Sequence, residues 1–461
     1  MLTTELLSPA GTLKNMRYSF AYGADAVYAG PPRYSLRVRN NEFHFDNLSI
    51  GIKEAHHKNK KFYVVANITP HNAKLKTFIN DFNPIIDMGP DALIISDPGL
   101  VMLVREFYPT MPIHLSVQAN AVNWASVKFW QNMGIKRVIL SRELSLEEIE
   151  EIRQIVPEIE LEVFVHGSMC IAYSGRCLLS TYINRRDSNQ GACINTCRWK
   201  YNLLPAKEDV MGNVELKNKS LNYGSQISPQ LFSGSLDQEV FLLDSIDHQP
   251  PSQSPFRREN KYLPTFEDVH GTYIFNSKDL RAIRHVQRLI QIGIHSLKIE
   301  GRTKSFYYCA RTAQIYRWAI NDAVNRKPFN YHLLEMLEGL ANRGYTEGFF
   351  SRHQTQNFQN INSGFSSSLR QIFVGEFTGE RRDELSQVAV KNKFSCGDNL
   401  DIITPSGNIN VVLDRMENKN FKLVNVAPGE GHLVWIPVPL NLCSIKYALL
   451  VRNQVIPSSL L

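Results

Sequence analysis

No apolar run in this chain is long enough to cross a bilayer, and the opening MLTTELLSPAG lacks a basic stretch followed by an apolar core. Neither a membrane span nor a secretory signal is expected, and the chain reads as cytoplasmic. The excess of one sign of charge is small as well. A formal +7 over 461 residues permits an RNA partner without demanding one. No G-x-G-x-x-G follows an apolar strand, which argues against a dinucleotide-binding sheet. Neither H-E-x-x-H nor a G-x-S-x-G elbow occurs, so the commonest metalloprotease and serine-hydrolase arrangements have no sequence basis. Cysteine is sparse, seven in all, and in a reducing compartment clustered thiols read as ligands rather than disulfides.

Four of those cysteines fall in one stretch, FVHGSMCIAYSGRCLLSTYINRRDSNQGACINTCRWKY. Cys170, Cys177, Cys193 and Cys197 have the spacing C-x6-C-x15-C-x3-C. Four thiolates suit an iron–sulfur cluster or a structural zinc. Zinc usually takes pairs separated by about two to four residues, and only the last pair fits, so the spacing favours iron–sulfur. Burial as small hydrophobes is the plain alternative for some of them. Cys309, Cys396 and Cys443 stand alone and read as structural.

The length calls for two domains, and 43% hydrophobic with 21% charged residues is a globular composition. Through the first three hundred residues a phrase recurs: AYGADAVYAG, MGPDALIIS, MGIKRVILS and IGIHSLKIEG. In each, a glycine precedes an apolar run, as it does where a helix ends and a strand begins. Eight strands are expected, at Glu5–Leu7, Ala26–Ala29, Phe62–Ala66, Ala92–Ile95, Ile113–Ser116, Arg137–Leu140, Leu161–Val165 and Ser296–Ile299. Helical patterns separate them, including 145–155 with a Ser145/Glu148 capping box, and 277–293. The alternation predicts a (β/α)8 TIM-like barrel over residues 1–350, with a doubly wound open sheet as its competitor.

A cysteine-rich insertion over 166–270 follows strand seven, and its polar part, 219–258, is expected to be mobile. After strand eight, Ser305–Asn325 has the pattern of a long amphipathic helix closing the barrel. Beyond a polar linker at 351–368, residues 369–461 show short alternating strands with turn signals, a small C-terminal antiparallel β-barrel domain. Such barrels commonly bind nucleic acid; packing or dimerisation is the other reading.

Active sites of such barrels lie at the C-terminal ends of the strands. The turn Ser8-Pro9-Ala10-Gly11 offers backbone N–H groups for an anion. The candidates for catalysis are Asn67, Gln118, Asn120 and Glu300, with no single residue singled out; Ser141-Arg142-Glu143 and His166 end strands six and seven. Arg37, Arg39, Lys298 and Arg302 are the candidates for binding a dianionic substrate or RNA phosphates. Each has a plainer reading. Arg37 and Arg39 alternate as on a solvated face, Lys298 and Glu300 point the same way as an internal ion pair would, and His166 follows an apolar run like a core histidine. RTKSFYYCAR (302–311) interleaves basic and aromatic groups, a weak nucleic-acid signal.

The segments ELLSPAGTLKNMRYSFAYGADAVYAGPPRYSLRVRNN, HGSMCIAYSGRCLLS and SLKIEGRTKSFYYCARTAQIYR closely resemble the collagenase-like peptidase family. The resemblance runs through the C-terminal EFTGE and HLVWIPVP and is weakest around 205–262. It implies a (β/α)8 barrel, a 4Fe-4S cluster on Cys170, Cys177, Cys193 and Cys197, and tRNA as substrate. It further implies 5-hydroxyuridine formation at the wobble position in a prephenate-dependent reaction, with the product a precursor of uridine 5-oxyacetic acid. Other members act in ubiquinone hydroxylation without dioxygen and on a ribosomal RNA cytidine. A cluster held by four thiolates has no open iron, which makes electron transfer at least as good a role as oxygen chemistry. Two further functions remain open at this point: the peptidase of the family name, which the residues support little, and a non-catalytic RNA-binding protein with a structural metal.

Overall fold

The computed structural model describes residues 4–38, 41–170, 172–193, 195, 197, 201–208, 214–216, 240–245, 263–266, 277–351, 368, 370–439, 442 and 444–454. Its first seven strands are β1 (Glu5–Pro9), β2 (Ala26–Ala29), β3 (Lys61–Ala66), β4 (Ala92–Ile95), β5 (Ile113–Leu115), β6 (Arg137–Ile139) and β7 (Glu160–Ser168). All pair in parallel with their sequence neighbours. Later strands are β8 (Tyr201–Glu208), β9 (Val214–Leu216), β10 (Val240–Ser245), β11 (Leu263–Phe266), β12 (Asp279–Arg281), β13 (Ser296–Ile299) and β14 (Tyr345–Thr346). Strand β13 pairs in parallel with both β1 and β7, and this double pairing closes the ring. An open sheet is thereby excluded, and the expected barrel stands. The short runs are apolar without alternation, as in Ala92–Ile95, because parallel strands are covered on both faces.

The helices α1 (Leu13–Ala21), α2 (Phe45–His57), α3 (Asn72–Asp87), α4 (Pro98–Phe107), α5 (Trp124–Asn132) and α6 (Leu146–Ile155) follow the first six strands. A short α7 (Leu179–Asn184) lies in the cysteine segment, and α8 (Val286–Ile292), α9 (Phe306–Val324) and α10 (His332–Glu338) come later. The recurring glycine does end helices. Gly23 and Gly293 sit at φ 102° and 90°, where a side chain would be strained. Ser145 and Glu148 form the expected capping box, and Ser305 caps α9. No helix among the described residues is long and apolar enough to cross a membrane.

The expected helix at 277–293 is corrected. Its first third is the strand β12, antiparallel to the end of β7 and parallel to β14, and only Val286–Ile292 is α-helical. Tertiary pairing outweighs helical periodicity here, because β7 runs on to Ser168 and offers its edge. In the insertion, β8–β11 form an antiparallel sheet in the order β11-β10-β8-β9. Most of the polar stretch 219–258, the linker 352–367 and Cys443 lie outside the described residues.

The C-terminal domain holds β15 (Gln371–Arg382), β16 (Leu385–Val390), β17 (Phe394–Ser395), β18 (Asn399–Thr404), β19 (Gly407–Val412), β20 (Glu417–Asn418), β21 (Val426–Ala427), β22 (Leu433–Pro437) and β23 (Leu449–Asn453). Seven of these form one antiparallel sheet, with Thr404 opposite Gly407 across a hairpin turn. This domain is packed onto the barrel. Tyr22 donates from its hydroxyl to the Ile403 and Tyr447 carbonyls, Phe373 stacks on Tyr307 at 4.7 Å, and Ile403, Leu449 and Val451 join the barrel's apolar core.

Candidate active site

Two layers of charge occupy the barrel. In the lower one, β1, β6 and β13 contribute one charged side chain each, and β7 contributes two. Arg137 donates to Glu5 at 2.6 Å and Glu162 at 3.2 Å, and pairs with Glu160 at 2.8 Å. Lys298 donates to the other oxygen of Glu162 at 2.8 Å, and Tyr63 and Ser296 donate to Glu5. Burial pushes the Glu5 carboxyl up, but Arg137, with Tyr63 and Lys61, more than offsets it and the group lies below its ordinary value. Burial lowers Lys298, and Glu162 restores only part of that. Lys298 is thus interior, tied to Glu162 rather than to Glu300, with its ammonium 4.2 Å from the Tyr28 ring centre.

The upper layer lies at the mouth. Glu300 follows β13 and pairs with Arg37, from the loop after β2, at 3.2 Å. Tyr28 donates to Glu300 at 3.1 Å. Burial would raise the Glu300 carboxyl, but Arg37, Arg142 and Arg302 together hold it down at about 2. It therefore stays ionised at neutral pH and anchors cations; it has no proton to donate there. Three guanidiniums against one carboxylate leave two positive charges in surplus. Arg302 donates to Ser35, and Arg142 donates to the Ser168 carbonyl at 3.1 Å while lying over the Phe164 ring. The Nε atoms of Arg142 and Arg302 are buried with no partner among the described residues. Unpaired buried donors beside surplus positive charge call for an anion.

The polar candidates around this rim hold loops. Asn67 accepts from the Leu36 N–H at 3.2 Å and donates to Ser116. Asn120, left-handed at φ 54°, accepts from Ser141 at 2.8 Å, and Ser141 also bonds Glu143. Gln118 follows β5, half-buried. Arg39 lies outside the described residues. His166 is a core histidine: it is 1% exposed, ringed by Tyr308, Tyr316 and Tyr345, and burial brings it down to about 3. Arg142 is the member that sequence reasoning did not select. Its only signal was its place directly after strand six.

The cysteine segment lies across the same mouth. Thr69, after β3, donates to the Asn189 carbonyl at 2.9 Å. Gly175, at φ 76°, lies so close to the Gln118 carbonyl that a Cβ would sit 2.2 Å from that oxygen, and Gly191 fits against the Ser35 carbonyl in the same way. Cys170 and Cys193 both act electrostatically on Arg37. Cys170, Cys177 and Cys193 form no disulfide, and the chemistry of the four-cysteine donor set fits an iron–sulfur cluster. As the side chains stand, no three His, Cys, Asp or Glu groups among the described residues converge to hold a metal ion. Cys309 is inert by comparison: it is fully buried, and burial pushes its thiol up to about 12.

Comparison with known proteins agrees with this architecture. The chain is 64% identical over 453 residues to tRNA hydroxylation protein P of Escherichia coli K12, covering 98% of this chain and 97% of that one. It is 59% identical to tRNA hydroxylation protein P of Haemophilus influenzae, covering 98% and 96%. It is 26% identical to the 23S rRNA 5-hydroxycytidine C2501 synthase of Escherichia coli K12, covering 95% of this chain and 59% of that protein. The model of peptidase family U32 matches residues 11–360, and that of the peptidase family U32 C-terminal domain matches 370–452. With a barrel and a C-terminal β domain matched end to end, this chain belongs to peptidase family U32.

Proposed function

We propose that this chain is an RNA hydroxylase that forms 5-hydroxyuridine at the wobble position of tRNA, with prephenate as co-substrate. The product would be the precursor of uridine 5-oxyacetic acid. The relatives named for tRNA hydroxylation, at 64% and 59% identity, support the substrate, and the 5-hydroxycytidine synthase supports hydroxylation of a pyrimidine. The observation that carries the reading is the mouth itself. Two surplus positive charges and two unpaired guanidinium Nε atoms match a compact dicarboxylate. Arg37, Arg142 and Arg302 would bind its carboxylates, and Glu300 would keep those guanidiniums in place. Cys170, Cys177, Cys193 and Cys197 would hold a 4Fe-4S cluster, which when bound supplies one-electron transfer.

Mass spectrometry of total tRNA nucleosides tests the reading. A strain lacking the gene loses the modified uridine, the wild-type gene restores it, and Cys193→Ala does not. Unchanged nucleosides in the deletion strain would sink the proposal, and cleavage of casein or collagen by the purified chain would then favour the peptidase of the family name.

A further inference from the structure

We infer that the cysteine-bearing segment 172–193 is also the surface that grips RNA: Arg176, Arg185 and Arg186 take backbone phosphates, and Tyr173 stacks on a base. The inference rests on the hydroxylase reading for the identity of the RNA. All three arginines are exposed, and none forms an ion pair among the described residues. The only acid in the segment is Asp187, whose carboxylate accepts the Asn189 N–H at 2.8 Å and so serves the backbone turn. Elsewhere on this protein arginines are commonly paired: Arg17 with Glu54, Arg33 with Asp81, Arg288 with Glu150 and Arg382 with Glu417. Three unpaired arginines on one short segment therefore stand out as an electrostatic footprint.

Two large apolar side chains share the segment's outer surface, Tyr173 at 61% and Leu178 at 69% exposure. An exposed ring and three guanidiniums on one short segment are what a single-stranded base and its phosphates need. The segment is a built surface. Ser188 and Asn189 both donate to the Cys177 carbonyl, at 2.6 and 3.2 Å, and the Tyr173 carbonyl accepts the Arg176 N–H at 3.1 Å. Gly175, Asn189 and Gly191 meet the loops after β5, β3 and β2, so the segment sits at the rim of the mouth where the arginine triad lies. An RNA held there would present an unstacked base to that mouth.

The test uses the full chain and unmodified tRNA from the deletion strain, with binding measured by fluorescence anisotropy from 50 to 300 mM salt. Arg176→Gln, Arg185→Gln and Arg186→Gln combined should weaken binding at least tenfold and reduce the salt slope by about two, the loss expected for three single-strand phosphate contacts. Tyr173→Ala should weaken binding about fivefold or more with no change of slope, and Tyr173→Phe should restore it. Lys419→Gln, Lys422→Gln and Lys446→Gln combined, on the C-terminal domain, serve as the charge-matched control. Unchanged binding by the triple variant, or a larger loss in the control, overturns the inference. So does a triple variant that loses only the visible absorbance of a thiolate-bound cluster, since the arginines would then serve the cysteines and not the RNA. The hydroxylase reading fails separately: arginine-dependent RNA binding beside unchanged nucleosides in the deletion strain would leave this surface standing and remove the reaction.

Discussion

Along β13 and the residue after it, Lys298 and Glu300 stand two positions apart, yet they belong to opposite kinds of charge cluster. Lys298 joins a closed set below, in which two buried carboxylates, Glu5 and Glu162, meet two buried cations. Glu300 joins an open set above, with three guanidiniums around one carboxylate and two donors left over. The closed set has nothing to offer a ligand. The open set is incomplete without one. Charge balance, more than burial or residue type, separates the part of the barrel interior that holds the fold from the part that we propose meets a substrate.

The sharpest break of this contrast is Glu162→Ala. It leaves Arg137 and Lys298 with too little negative charge in a buried layer and should cost about 3–5 kcal/mol in urea unfolding. At the mouth the effect should move from stability to binding. On the proposed reading, Arg142→Gln or Arg302→Gln should weaken prephenate binding about tenfold to a hundredfold in calorimetry, as loss of a charged hydrogen bond worth about 1.5–3 kcal/mol requires. A variant that unfolds but binds normally when folded would place that arginine in the closed set.

Acid separates the mouth from the core beneath it. His166 is neutral in the fold down to about 3, whereas an unfolded imidazole takes its proton near 6.5. The unfolded chain thus binds more protons below about pH 6.5, so stability falls as pH drops from there towards 3. This one group contributes a slope of about 1.4 kcal/mol per unit. Glu300 is held at about 2 against an ordinary 4.5, so its contribution is full above 4.5 and is lost between 4.5 and 2. His166→Gln should flatten urea stability between pH 6 and 4.5 while leaving the steeper fall below that; an unchanged profile would refute the assignment. The smallest effect expected is Arg37→Ala on stability. Its side chain is 28% exposed, and the loss should be under about 1 kcal/mol in thermal unfolding.

How much of this could be read from residues follows the same division. The strands at Ala26–Ala29, Ala92–Ile95 and Ser296–Ile299 fall where the apolar runs predict, as does the cap at Ser145. These are local signals, a side chain closing its own backbone or a run of apolar residues wanting cover. The strand at Asp279–Arg281 was missed because its partner is the far end of β7, more than a hundred residues earlier. Lys298 was selected as a substrate ligand on its place in the strand, and only the position of Glu162 in the neighbouring strand shows how it is engaged. Arg142 reaches the mouth because β6 and β7 are adjacent and Phe164 lies under its guanidinium.

By itself the sequence determined the alternation of strand and helix, the glycine that ends α1, α3, α5 and α8, and the presence of four clustered thiols. Each depends on interactions within a turn or two of chain. Closure of the ring, the division of its buried charges into a balanced layer and an unbalanced one, and the seating of the cysteine segment over the mouth were decided only in three dimensions. The reason is physical: the energy of a buried charge depends on every other charge within a few ångströms, and those neighbours come from distant parts of the chain.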